Sequence, residues 1–422
     1  MSSAPVPADG TATPRLVVAG VVAMIAAILL LPLGRLSELA VLAGLVITTI
    51  FLVRDGWKPL QAPAVALLVS LFACYAIPAW LSVIGAVDLQ RSAVSALADL
   101  RFLPFALMAV LVLRESTTLY WRVLGVTGLV VGLWAVDAWV QGLTGFGLAG
   151  VLEEDRVSGV FGDDNLKLGP VLAVLSPIAL DEARRRYGRV AFAIVWLLLA
   201  VAILLAGARA GWIMYALVTL VMLWRVAVRP SHFVAWVVAS LVAASAVSVA
   251  AYRISPLFKE RVDRTLALGD GTRTALDHAL AGRLPIWETA TRMALANPIN
   301  GVGVRGFRHA YPAYAEPGDR WVHADGSRGA MHPHHLVLEV AAETGAIGLV
   351  GWLLGFVIAL RAWWRASSGA RDRTFAPALA LVAMTFPINT HFAFYSSFWG
   401  LLFWWLAALW CAGLSERARD YA

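Results

Sequence analysis

Arg209 stands in LLAGARAGWIM, with small residues on each side that leave its guanidinium unshielded. The planar fork of such a side chain suits phosphate oxygens, and the same position suits an interfacial arginine reaching from a helix end to a membrane surface. Arg283 follows Gly282 in GRLPIW, at the start of a stretch with helical spacing. A cation there opposes the helix dipole, so it marks either an anion shared with the helix start or a solvated face. The densest segment is MHPHHLVLEVAAETGAIGLVG, residues 331–351. It brings His332, His334 and His335, then Glu339 and Glu343 at helical spacing, then Gly345 and Gly348, which permit close helix packing. Three imidazoles can ligate zinc, but adjacent His334 and His335 point to different faces of a helix and Pro333 restricts the turn before them, so no metal is expected. Interfacial histidines are one remaining reading. The other is a neutral imidazole acting as general base near neutral pH.

Further groups are fewer and less patterned. FGDDNLKLGP, residues 161–170, sets Asp163 and Asp164 beside Asn165, as holders of a divalent ion bridging a diphosphate or as a helix cap with solvent-facing charge. Arg101, Arg305 in GVGVRGF and His391 in NTHFAFYSSFWG are additional candidates for the same surface.

The elements that must position these residues follow from composition. Of 422 residues, 60% are apolar and only 14% charged, with a mean hydropathy of +0.74, which excludes a water-soluble domain. The net charge of +7 comes from 31 Arg and 3 Lys, and it marks topology, not nucleic-acid binding. Cys74 and Cys411 lie inside apolar runs, with neither zinc spacing nor a disulfide framework. Twelve spans are expected, near 16–34, 36–53, 60–84, 101–113, 121–141, 168–180, 189–206, 210–228, 232–252, 345–364, 374–388 and 395–414. The fourth and sixth are short and need extension by the amphipathic stretches beside them, or are partly re-entrant. With the N-terminus inside, cytoplasmic segments hold 17 Lys/Arg and the short outer loops hold 6, so both termini are expected in the cytoplasm. The reading is an all-α integral membrane protein of about 12 transmembrane helices. A disordered tail (1–14) precedes helices 1–9 (15–252); an outer loop (253–335) leads to helices 10–12 (336–414) and a second tail (415–422). The loop carries 11 Lys/Arg against 8 Asp/Glu and should contain a helix over 281–297, its face formed by Leu284, Trp287, Ala290 and Met293.

The arrangement of His334 eleven residues before Gly345 and fourteen before Gly348, the outer-face arginine in GARAG and the GRxxxW of a large outer loop together resemble the O-antigen ligase family, which shares its core with O-antigen polymerases. The likeness in topology runs over about 100–410. In that family the histidine is followed by Asn, Ser or Gln; here His335 takes the place of the amide. An acidic residue near the family's last outer loop has no match, because that loop reads Pro387, Ile388, Asn389, Thr390, His391.

The resemblance implies a GT-C-like glycosyltransferase of the bacterial inner membrane, working on the periplasmic side without metal, nucleotide or other cofactor. Arg209 and Arg283 would engage the diphosphate of an undecaprenyl-diphosphate-linked O-antigen, and His334 the hydroxyl of a lipid A-core acceptor. A polymerase would use a second lipid-linked glycan as acceptor. A transporter for lipid-linked glycans would also want outer-face arginines, but would place broken helices and ionisable groups near the midplane in paired repeats, where Asp137 is the clearest acidic candidate.

Overall fold

Backbone in a hydrocarbon layer must satisfy its own polar groups, and this chain does so almost wholly with helices. The computed structural model describes residues 14–152, 156–162, 165–254, 259–260, 262–263, 272–273, 276–277, 280–387 and 389–415. The expected tails fall almost entirely outside these residues, as do Asp163, Asp164, Ile388 and most of 255–279. Among those described, the helices are α1 (Pro14–Leu29), α2 (Glu38–Asp55), α3 (Pro63–Leu81), α4 (Leu89–Asp99), α5 (Phe102–Leu113), α6 (Thr117–Thr144), α7 (Leu168–Leu205), α8 (Arg209–Val226), α9 (Pro230–Ile254), α10 (Leu284–Ala296), α11 (Phe307–Tyr314), α12 (Leu336–Arg365), α13 (Ser368–Met384) and α14 (Ser397–Leu414). A two-residue antiparallel pair, Phe146–Gly147 with Gly150–Val151, is the one sheet among the described residues.

Among the described residues nine helical segments are long and apolar enough to cross a membrane, against twelve spans expected. The difference has local causes. Helices α1 and α13 have 16 and 17 residues, one turn short of a full crossing. Helix α7 carries two expected spans in 38 residues, divided where Gly188 leaves helical geometry (φ 84°, ψ −165°) behind Arg184, Arg185 and Arg186. The 12 residues of α5 are lengthened by amphipathic α4, which precedes it after Leu100 and Arg101.

The core is built on α5 and α14, whose residues are buried nearly throughout, with α2, α3 and α13 packed around them. Trp404 and Trp405 are fully buried, and the Trp405 indole donates to the Met24 carbonyl at 3.1 Å. At one end of the bundle lie the arginine-rich helix ends: Arg185 stacks on Trp121 at 3.5 Å, Arg225 faces Asp372, and Arg373 donates to the carbonyls of Gly413 and Ser415. Arg209 and the histidines of 332–335 occupy the starts of α8 and α12, at the opposite end. Asp137, the acid that a transporter reading singles out, spends one carboxylate oxygen on the Leu148 N–H at 2.8 Å and so braces the short hairpin.

One sequence expectation is corrected in α12. Gly345 does not serve helix packing; it breaks the helix (φ 62°, ψ −156°). The backbone groups freed there are taken by the segment 298–303: Val302 and Gly303 donate to the carbonyls of Ala342 and Glu343 at 2.9 and 3.0 Å, and Ala346 and Ile347 donate to those of Pro298 and Ile299 at 2.8 and 3.1 Å. A Cβ on Gly345 would strike the Ile299 carbonyl, and one on Gly301 would strike Glu343 backbone. Close helix packing falls instead to Gly351, where a Cβ would meet the Cys74 carbonyl of α3 at 2.6 Å. A left-handed φ costs a non-glycine residue about 1–2 kcal/mol before any clash. Gly345→Ala should therefore lower the unfolding temperature in detergent and expose the 298–303 segment to limited proteolysis; a variant unchanged in both would mean that the break is not needed.

The docked segment carries a small core of its own, from Ile286, Ala290 and Met293 of α10, Phe307 and Tyr311 of α11, and Ala342 of α12. Ala290 and Met293 of the expected face are in this core, joined by Ile286 in place of Leu284 and Trp287. Leu284 only begins the helix, and Trp287 leaves the core to set its ring edge-on against His335 at 5.7 Å.

Candidate functional site

Arg209 is the first residue of α8, reached through Gly207 (φ 69°) and the buried Ala208. The start of α8 lies close on α7: a Cβ on Gly211 would meet the backbone of Gly169 and Pro170 at 3.1–3.3 Å. Arg283 is the residue before α10, after two residues in the left-handed region, Ala281 (φ 55°) and Gly282 (φ 76°). That turn is braced from three sides. Asp277 accepts from the Leu284 N–H at 3.1 Å and from Arg320 at 2.6 Å, and the Trp321 indole donates to the Gly282 carbonyl at 2.7 Å. Both arginines therefore sit at helix starts, on the positive side of the helix dipoles. They lie close enough to repel: Arg283 is pushed down to about 10, first by its burial and then by the Arg209 guanidinium.

His334 occupies the left-handed region (φ 55°), a costly place for a side chain with a Cβ. Its backbone N–H donates to His332 Nδ1 at 3.2 Å and its ring lies 3.9 Å from that of His332. Its own Nδ1 meets the Thr390 carbonyl at 2.5 Å. A carbonyl oxygen only accepts, so Nδ1 carries the proton and Nε2 presents its lone pair. Burial, followed by the Arg283 charge, holds this imidazole down at about 4, so it is neutral at pH 7. His335 is the N-cap of α12, where its Nδ1 accepts from the Leu338 N–H at 3.5 Å.

The loop between α13 and α14 completes the group. Asn389 donates to the Met384 carbonyl at 2.8 Å and accepts from the His391 and Phe392 N–H groups, which fixes both the Thr390 carbonyl and His391. His391 is pushed down to about 3 by burial and by Arg283, His334 and Arg156, and His332 is depressed by burial, His334 and Arg305 among others. The structure thus gathers Arg209, Arg283, His334, His332 and His391 at one end of the bundle. Arg305 stands at its edge, in a left-handed turn (φ 59°) whose N–H donates to the buried Glu343 carboxylate at 2.8 Å. Arg101 is held in an ion pair: its guanidinium donates to Glu38 through two hydrogen bonds of 2.9 Å, with Asp99 at 3.7 Å.

Sequence reasoning missed the Thr390 carbonyl, which leaves no signature in residue type. It also missed Arg308 and Lys167; the first is legible as a cation three residues after Arg305 on α11. Among the described residues, no three His, Cys, Asp or Glu side chains are grouped to hold a metal ion, and His334 Nδ1 is already turned to Thr390.

Chemically, the group offers two neighbouring guanidiniums at helix starts, beside an imidazole with one nitrogen fixed and the other open. No curated protein matches the chain. Residues 193–353 match the family model described as O-antigen ligase, a stretch that takes in Arg209, Arg283, Arg305, His332, His334 and Gly345, and over that stretch the chain is similar to the O-antigen ligase family.

Proposed function

We propose that the protein is the ligase of lipopolysaccharide assembly, transferring O-antigen polysaccharide from undecaprenyl diphosphate to lipid A-core on the periplasmic face of the inner membrane. The observation that carries this reading is the meeting of Arg209, Arg283 and His334, three residues distant in sequence, with the imidazole neutral and its Nδ1 held by Thr390. No nucleotide triphosphate is available outside that membrane, so the donor must arrive activated, and a lipid diphosphate is such a donor. As the anomeric C–O bond breaks, negative charge grows on the departing diphosphate, where the two guanidiniums favour the transition state over the ground state. The acceptor hydroxyl attacks from the other side, its proton passing to His334 Nε2. Single displacement inverts the anomeric centre.

The test is purified protein with lipid-linked O-antigen, with and without lipid A-core, in the presence of a chelator. Product should form only when the core is added, with an inverted linkage and at an undiminished rate without free divalent ions. Polymer growth in the absence of core would instead favour a polymerase using a second lipid-linked glycan. A retained linkage would refute single displacement, and a strict need for Mg²⁺ would give the acidic pair Asp163 and Asp164 a ligand role. Transport of the lipid with no covalent product would replace both enzyme readings.

A further inference from the structure

Beside the histidines lies a cavity of about 520 Å³. Lys167, Arg305, Arg308, His332 and His391 line it, and among the described residues no carboxylate does. Among the described residues the Arg308 guanidinium makes one hydrogen bond, to the soft Met331 sulfur at 3.5 Å; burial, with Arg305, Arg91 and Arg328, pushes it down and outweighs Glu343, which favours its charge. The Lys167 ammonium rests over the Phe398 ring at 4.4 Å. Glu343, the acid behind this wall, spends its oxygens on the backbone N–H groups of Arg305 and Phe307.

Position separates this cavity from the Arg209–Arg283 pair. Neither of those arginines lines it, and nor does His334. Yet His332 and His391, which line it, both feel the Arg283 charge, so the cavity adjoins that pair. One leaving diphosphate needs one set of guanidiniums. In a single displacement the nucleophile and the leaving group occupy different sites, so a cationic pocket that shares its histidines' surroundings with Arg283 but is not lined by it is available to the nucleophile. Of the rest of the lining, Phe398 and Trp399 contribute aromatic rings that suit a saccharide, while Asn165 and Ser396 spend their side chains on nearby backbone.

We propose that this cavity holds a phosphate or carboxylate borne by the acceptor saccharide, with Lys167 and Arg308 as its principal ligands. This rests on the transfer reading above and adds to it a requirement for an anionic acceptor. The charged substituent anchors the acceptor while a hydroxyl elsewhere on it reaches His334.

Initial rates in nanodiscs, with donor and acceptor varied separately, test it on three forms of lipid A-core: intact, phosphate-free and carboxyl-amidated. Lys167→Met and Arg308→Gln should each raise the acceptor KM about tenfold, the usual weight of a charge-assisted contact, and leave the donor KM within about twofold. On whichever neutralised form has lost the anchoring group, wild type and variants should coincide, which identifies phosphate or carboxylate as the ligand. Arg308→Lys should recover part of the effect, and it serves as the folded control if Arg308→Gln is not monodisperse. A rise in donor KM instead, or unchanged kinetics on the intact acceptor, would overturn the proposal. Direct titration of wild type and variants with intact lipid A-core separates the two readings. If no product forms with any acceptor yet the variants bind intact core more weakly, the transfer reading fails and the cavity stands; equal binding sinks the cavity.

Discussion

Arg283→Ala is expected to lower kcat about 100-fold, equivalent to about 3 kcal/mol of transition-state stabilisation, and Arg209→Ala to do the same. The effect should fall on kcat more than on donor KM, because charge on the diphosphate is greatest as the glycosyl bond breaks. The two losses should not multiply. Arg283 is pushed down to about 10 partly by Arg209, so the pair acts on one anion and the double variant should lose less than the product of the single losses. Stability argues in the same direction. Burial and the Arg209 charge disfavour the Arg283 guanidinium in the empty protein, so Arg283→Ala should leave the unfolding temperature unchanged or raise it, while a bound diphosphate should stabilise wild type more than either variant. Arg283→Lys keeps the charge but not the fork and should recover only part of the rate. Initial rates and thermal unfolding with and without donor check all of this. Near-wild-type kcat in Arg283→Ala and Arg209→Ala would remove the guanidiniums from the chemistry.

Much of this site was legible because charge and hydropathy act over short windows. The apolar runs place helices over each of the twelve ranges, and the short fourth and sixth spans are extended by α4 and by the continuation of α7, as their amphipathic neighbours suggest. The two arginines and His334 stand out by type, and the resemblance selects His334 over His335 by spacing alone. His335 then proves to be a helix cap, a role that a histidine plays with its ring nitrogen as an amide would with its oxygen. What was not legible depends on contacts between distant segments. Gly345 reads as a packing glycine until 298–303 is seen pairing with the opened helix. Arg101 reads as a surface cation until Glu38, 63 residues away, claims it. The Thr390 carbonyl belongs to a backbone whose position Asn389 sets, and backbone acceptors are the same in every sequence.

His334→Ala should cost at least about 100-fold in kcat, the usual contribution of a positioned general base, and His334→Gln should recover little, since an amide cannot take the proton. The pH dependence carries more information than the loss. In the free protein His334 is held at about 4, below an ordinary histidine, by burial and then by the Arg283 charge. The base works when neutral, so kcat/KM should stay level down through pH 6 and fall only as the pH drops toward 4. A diphosphate on Arg283 cancels that charge and favours the imidazolium, so the acid limb of kcat should lie at higher pH than that of kcat/KM. By the same reasoning Arg283→Gln should move the kcat/KM limb upward, and a variant at a distant arginine such as Arg114 should not. Protein stability also responds to acid: His332, His334 and His391 are depressed in the fold, so unfolded chain takes up protons first, and stability is lost progressively as pH falls from about 6.5 toward 4. Rates in that range must be read from protein shown to be monodisperse. A kcat/KM limb that stays near pH 6.5 and does not move in Arg283→Gln would mean that the titrating group is not an imidazole beside Arg283, and His334 would then lose its place as the base.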